Sequence, residues 1–504
     1  MTAHVLPWLH APRGLSHSLT NAHAEAQTGR PLIFANAHAG ARVARPLIFT
    51  NAHAEAQTAK PLMFSDAALY SLLIPIIIEQ FLNALMGMAD TMMISNLGSA
   101  AISAVSLTDS INTLMIQVFA ALAAGGTVIC SQYLGQQNIA QCNKAAKQLL
   151  LIILVLSGSI TMFCLMFKRP LLAMIFGQVS EEVMDASLIY FGITVLSYPF
   201  FALFQGGAGL YRACGDSRLP MRISIITNMM NIAGNAVLVF VVQMGVAGAA
   251  LSTLVSRVIG AVWILGYLHR NRQEIVVRNY LSVRPDADMI RKVLWLSVPS
   301  GVENGMFQFG KLAIQSSVST LGTTAIAAQA MTAILENVNG IAGCGVGIGM
   351  MTVVGQCLGA GYKDQAVYYI KKLTAWAEAV IIASCLIVYM MSGAVVRLAG
   401  MEPDAAELCL KMVLLITVVK PIFWAMSFIP AYGFRAAGDV KFTMIVSSLT
   451  MWLCRVAGSI FMIRVLHLGI LSVWIGMFMD WAVRGIIYRI HFVRGTWLKK
   501  SVIE

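Results

Sequence analysis

The residues able to do chemistry in this chain are carboxylates set in apolar sequence. Glu79 and Asp90 lie eleven positions apart in LLIPIIIEQFLNALMGMADTMMIS. Eleven residues is about three helical turns, so both side chains fall on nearly one face at different depths. Asp109 follows in SLTDSINTLMIQ, and in the second half Glu303 and Lys311 stand eight positions apart, again roughly on one face. Arg257, Glu336, Glu378, Lys420, Arg455 and Asp480 each sit singly in apolar runs. Ionisable groups in such runs are expensive and usually face a cavity or a partner. A carboxyl group withdrawn from water favours its neutral form, which lets it take up a proton at one face and release it at another. Ionised, and joined by amide and carbonyl oxygens, it could instead hold Na⁺. Amides accompany the acids in both halves: Gln80, Asn83, Asn112, Gln117, Asn228, Asn231 and Asn235, then Asn304, Gln308, Gln315, Gln329, Asn337 and Asn339. The acids could also simply pair with Lys311 or Arg257 and hold helices together.

The elements that position these groups are membrane helices. Hydrophobic residues make up 58% of the 504 and charged residues only 12%, about half the charged fraction of a soluble domain. Mean hydropathy is +0.75. The apolar blocks are long enough for a bilayer, which needs roughly 20 helical residues. Spans are predicted near 69–95, 104–132, 146–167, 184–210, 219–243 and 246–268, then 293–319, 327–357, 370–392, 407–433, 442–465 and 469–491. Continuous blocks, rather than short alternating segments, exclude a β-barrel. The expected fold class is an all-α polytopic membrane protein of twelve transmembrane helices in two pseudo-symmetric six-helix lobes. The predicted organisation is an N-lobe at 66–268, a polar connector at 269–292, a C-lobe at 293–495 and a tail at 496–504.

The halves repeat. Pro75, Glu79, Gly98, Gln132 and Gly135 recur 224 positions on as Pro299, Glu303, Gly322, Gln356 and Gly359, and YRACGDS (211–217) returns as FRAAGDV (434–440). Two like halves in so apolar a chain suggest two lobes around a central cavity.

Lys and Arg concentrate in the even-numbered connections and the C-terminus, among them Lys144, Arg218, Arg270, Arg291, Lys363 and Lys499, whereas the odd connections hold Lys168, Arg169, Arg397 and little else. The positive-inside bias places both termini in the cytoplasm of a cell-membrane protein. Much of the net charge of +12 lies in these scattered loops, so nucleic acid is not an expected partner. The nine cysteines include no CxxC and form no cluster with histidine, and neither a disulfide framework nor a zinc site is expected. The glycine runs, such as Gly125-Gly126, serve close helix approach; no GK[ST] follows them, so ATP drive by this chain is not expected. No cofactor is expected beyond a coupling ion. Residues 20–64 are three copies of a 15-residue unit, TNAHAEAQTGRPLIF and its variants. The unit reads as a low-complexity extension, with Met63 as an alternative start, although His23, His38 and His53 recur in register.

The pattern P75-x3-E79-Q80…G87-M88-A89-D90-T91, the second-span end from Gly126 to SQYLGQ, and the pair RACGDS/RAAGDV resemble the multidrug and toxic compound extrusion family of cation-coupled exporters. The likeness covers about residues 66–495. It implies two six-helix lobes in a V that alternate between inward- and outward-open states, exporting amphipathic compounds in exchange for Na⁺ or H⁺. Asp90 matches the family's first-helix aspartate, and Asn228 and Asn231 fall where its polar partners lie. Some members place an acid in the tenth helix; here that stretch reads KPIFWAMSF, with Trp424 and no acid. Glu303 resembles the seventh-helix acid of another branch.

The candidate coupling residues are therefore Asp90, Glu79, Asn228, Asn231 and Glu303, with Na⁺, if bound, at Asp90. Candidate cavity residues are Asp109, Gln80, Asn83, Asn304, Gln308, Lys311 and Glu336. An acidic, apolar cavity rich in methionine would favour lipophilic cations. The leading reading is an antiporter, sufficient as a monomer, that moves small amphipathic molecules across the lipid bilayer. The alternative is a lipid or polysaccharide-precursor flippase of the same superfamily, for which Lys311, Lys420 and Arg257 leave room. Neither an enzyme's nucleophile–base pattern nor a channel's filter is evident.

Overall fold

A computed structural model describes residues 61–95, 97–177, 180–270, 274–278, 284–500 and 502–503. Most of the 15-residue repeats fall outside the described residues. The N-lobe comprises α1 (Asp66–Ser95), α2 (Ser99–Gly135), α3 (Ile139–Met166), α4 (Glu181–Ala213), α5 (Arg218–Val241) and α6 (Gly245–His269). The C-lobe comprises α7 (Ala287–Val318), α8 (Thr323–Gly359), α9 (Lys363–Leu398), α10 (Pro403–Ala436), α11 (Val440–Arg464) and α12 (Leu471–Arg494). Among the described residues there is no β-strand.

Ten of the twelve are long and apolar enough to cross a membrane. The other two, α7 with 32 residues and α12 with 24, have the length but carry more polar side chains. Glu303, Asn304, Gln308 and Lys311 lie on the first, and Asp480 and Arg484 on the second. In lipid every backbone group must be satisfied within the segment, so continuous helices are the form these runs can take. Large apolar side chains stay exposed along the helices, including Met92, Met390 and Leu398, as suits helices solvated by lipid.

Most helices overrun their predicted ends: the block at 370–392, for example, is the middle of α9. Three features were not anticipated. A short helix, Lys168–Phe176, follows α3. Helix α4 breaks at Ser197, where Pro199 lacks the amide hydrogen needed to continue the ladder. Both α5 and α11 contain a π-helical segment, Ala236–Val241 and Met451–Ala457.

The lobes meet through α1 and α2 packed on α7 and α8. At the end of the bundle bearing the basic loops, Gln132 Nε2 donates to the carbonyl of Ala436 at 2.7 Å, and Gln356 Nε2 donates to that of Ala213 at 2.6 Å. These two bonds are images of each other under the sequence repeat. The repeated pair Gly135 and Gly359 lies at the same crossing. A β-carbon on either would run into the backbone of Gln356 or Gln132 respectively, so only glycine permits this approach. Nearer mid-span, Ser297 Oγ donates to Leu122 O and Asn304 Nδ2 to Gln117 O, each at 3.3 Å.

Candidate functional site

On α5, Asn228, Asn231 and Asn235 are spaced three and four residues apart, which makes one polar stripe down the helix. That stripe faces α1. Asn235 Nδ2 donates to Asp90 Oδ1 at 2.6 Å. With its amide turned to suit both neighbours, Asn231 donates to the same oxygen at 2.9 Å and accepts from Thr253 Oγ1 of α6 at 3.0 Å. Asn231 and Asn235 are buried, and Asn235 Oδ1 has no hydrogen-bond partner. Directly after Asn235 the helix enters its π segment, a distortion that often marks a functional position.

Seven residues before Asp90, two turns along the same face, Asn83 accepts from Ser224 Oγ at 3.3 Å and from Asn228 Nδ2 at 3.5 Å. Asn83, Asn228, Asn231 and Thr253 line a narrow cavity of about 70 Å³, closed by Phe201, Phe204 and Arg257. Beside it, Asp109 of α2 accepts from Asn112 at 3.1 Å and from Tyr190 OH at 3.4 Å, while Tyr198 OH donates to Asn112 Oδ1 at 2.7 Å. Asp109 and Arg257 are the charged neighbours of Asp90. Among the described residues Arg257 has no acid within 4.0 Å: it donates to Ser197 Oγ at 2.7 Å and lies 4.9 Å from the centre of the Phe201 ring.

Glu79 is not brought to Asp90. Three turns away, about 16 Å along the helix, both its oxygens accept from Arg212 of α4, at 2.7 and 2.9 Å. Glu303 has the same environment in the C-lobe, accepting from Arg435 of α10 at 2.7 Å. The two pairs are repeats of one another. Of the three expected coupling acids, Glu79 and Glu303 thus have an arginine partner and Asp90 does not. The signal lay in the sequence, because the arginines of RACGDS and RAAGDV recur with the acids, at an interval of 223 against 224 positions.

The C-lobe cavity, of about 160 Å³, collects Glu303, Asn304, Gln308 and Lys311 from α7 with Gln117 of α2, Arg435 of α10 and Arg484 of α12. Glu336 lies apart from this lining and pairs with Lys420, whose Nζ donates to its Oε1 at 2.8 Å and to its carbonyl at 3.0 Å. The KPIFWAMSF stretch of α10, which has no acid of its own, therefore borrows one from α8. Gln80 is partly buried on α1. Arg484 and Asp480 form a buried pair at 2.5 and 2.7 Å. The position 224 residues beyond Asp90 is Ile314, so the repeat does not carry the Asp90 carboxylate into the C-lobe. Sequence reasoning overlooked Tyr190 and Thr253: only the packing of α4 brings Tyr190 to Asp109, and only that of α6 brings Thr253 to Asn231. Among the described residues no group of three or more His, Cys, Asp and Glu could hold a metal ion.

Twelve helices in two repeated lobes, with ionisable groups buried inside each lobe, have the layout of a multi-pass membrane transporter. The MatE family model matches residues 75–237 and 299–461, so the chain belongs to the MatE family. It is 26% identical over 443 residues to "Probable multidrug resistance protein NorM" of Thermotoga maritima, covering 86% of this chain and 94% of that one. It is 22% identical over 450 residues to "Multidrug and toxin extrusion protein 2" of Mus musculus, covering 86% and 74%. A solved structure described as an outward-facing multidrug resistance MATE family transporter of the MOP superfamily superposes with a TM-score of 0.81 at 19% identity, over 86% of this chain and 96% of that one.

Proposed function

We propose that this chain is a cation-coupled exporter of amphipathic small molecules. It acts in the cell membrane with both termini in the cytoplasm, and one chain is sufficient. Na⁺ or H⁺ binds at Asp90, with Asn231 and Asn235 as its polar partners, and Asn83, Asn228 and Asp109 border the route to it. The observation that carries this reading is Asp90 held by two buried amides, beside a buried Asn235 Oδ1 that has no partner. A buried acceptor without a donor is costly, and a cation between that oxygen and the carboxylate removes the cost. Relatives named for multidrug resistance and extrusion support the export of drug-like compounds. The bonds from Gln132 and Gln356 hold the basic end shut. Alternating access requires them to break as the lobes rock, with ion binding favouring one facing state over the other.

Glu79 and Glu303 we assign to the helix framework, since each is taken up by its arginine. A second reading, movement of an anionic lipid-linked headgroup, is favoured by Lys311, which lines the C-lobe cavity. The test is ethidium efflux from pump-deficient bacteria expressing the chain, with the Na⁺ or the proton gradient removed in turn. Efflux should stop with one gradient and should be absent in inserted Asp90→Asn protein. Full efflux by that variant would remove Asp90 from the mechanism. Absence of efflux for several cationic dyes would favour the second reading.

A further inference from the structure

The two lobes are built from one repeat, yet their first helices present opposite chemistry. At 224 positions from Asn83, Gly87 and Asp90 stand Phe307, Lys311 and Ile314. An amide, a glycine and an acid in the N-lobe become an aromatic ring, an amine and an aliphatic chain in the C-lobe. The cations in and around the C-lobe cavity fall into two sets. Arg435 is neutralised by Glu303, Arg484 by Asp480 and Lys420 by Glu336, at 2.7, 2.5 and 2.8 Å. Lys311 and Arg455 have no carboxylate within 4.0 Å among the described residues. Both nevertheless converge on one ring: Lys311 Nζ is 5.7 Å and the Arg455 guanidinium 5.4 Å from the centre of Phe307. Arg455 Nε is a buried donor with no acceptor. Two unpaired cations at membrane depth call for a counter-charge. Framework contacts do not supply it, because each nearby acid is already engaged.

We infer that the cavity around Phe307 is a recognition site for an anionic group carried on an aromatic molecule. The acid group binds at Lys311 and the ring packs on Phe307 and Phe428, all three of which line the cavity. Arg455, outside that lining, adds its positive charge from its own contact on the Phe307 ring. This rests on the exporter reading, but its test does not depend on transport.

Full-length protein in phosphatidylcholine nanodiscs would be titrated calorimetrically with 2-naphthoate, its neutral isostere 2-naphthamide and the corresponding naphthylmethylammonium. Naphthoate should bind at least about tenfold more tightly than the amide, a difference of about 1.4 kcal/mol. Lys311→Met should bring the two to parity, and Lys311→Arg should restore the preference, which separates a lost charge from a lost fold. Equal binding of naphthoate and naphthamide by the wild-type chain, full displacement of bound naphthoate by an equal concentration of the ammonium, or a preference that survives Lys311→Met would overturn the inference. Competition by added phosphatidylglycerol would support the same site with a lipid as the source of the anion. If the naphthoate preference holds while no cation gradient drives efflux, the exporter reading fails and the site stands. The reverse pattern sinks the site alone.

Discussion

Glu79→Gln is the substitution that best separates a framework acid from a coupling acid. Glu79 is 1% exposed and Arg212 8%. Both carboxylate oxygens accept from the guanidinium at 2.7 and 2.9 Å, and Arg212 Nε is already buried without a partner. The glutamine would leave a buried positive charge with one neutral acceptor. Breaking a buried pair from one side costs about 3–5 kcal/mol, or roughly two to three and a half powers of ten in the folded population. Removing both charges with Glu79→Gln/Arg212→Gln should recover much of that loss. Unfolding by dodecyl sulfate titration in mixed micelles reads the stabilities, and gradient-driven dye efflux reads coupling in the same proteins. The double variant should retain coupled efflux, whereas Asp90→Asn loses it with stability intact. Glu303→Gln should cost less, because a single bond of 2.7 Å joins Glu303 to Arg435 and the arginine is more exposed. Should Glu79→Gln melt like the wild type and lose coupling, Glu79 would be carrying the ion and its arginine would be incidental.

Two further outcomes concern the end bearing the basic loops. Gln132→Ala and Gln356→Ala each remove one neutral hydrogen bond worth about 1 kcal/mol net. Together they should shift the balance about thirtyfold toward opening at that end, read as longer distances between spin labels on α3 and α9; unchanged distances would show that these bonds do not hold the lobes. Asp439, between α10 and α11, accepts from His491 and from Lys500, each at 2.8 Å. Burial alone would push its carboxyl up, but these two partners hold it below the ordinary carboxylate range. A depressed folded value adds stability above the unfolded value of about 3.9, and that stability is lost as pH falls through the folded value. The melting difference between wild type and Asp439→Asn should therefore be full near neutrality and shrink below about pH 4; a difference independent of pH would show that the ion pair does not supply it.

The twelve helices, their grouping in two sixes and the internal repeat were all legible in the sequence. A bilayer accepts few solutions, and a run of some 20 apolar residues leaves the chain one way to satisfy its backbone. The helical stripe of Asn228, Asn231 and Asn235 was equally legible, because spacing within one helix is local. What sequence spacing could not settle is which charge meets which. Glu79 and Asp90 share a face of α1, yet one is met by Arg212 and the other by asparagines, since the neighbouring helix differs at each depth. Lys311 appeared a natural partner for an acid, and Glu336 goes instead to Lys420. Such pairings join residues far apart in the chain, so they follow from the rotation and depth of each helix against its neighbours. The sequence by itself determined the membrane helices and the repeat, because those rest on local hydrophobicity and period. Tertiary structure alone decided which buried charges are paired and which are not, as with Glu336 on Lys420 and Lys311 left without a carboxylate within 4.0 Å among the described residues, because that depends on the neighbour each helix presents at each depth.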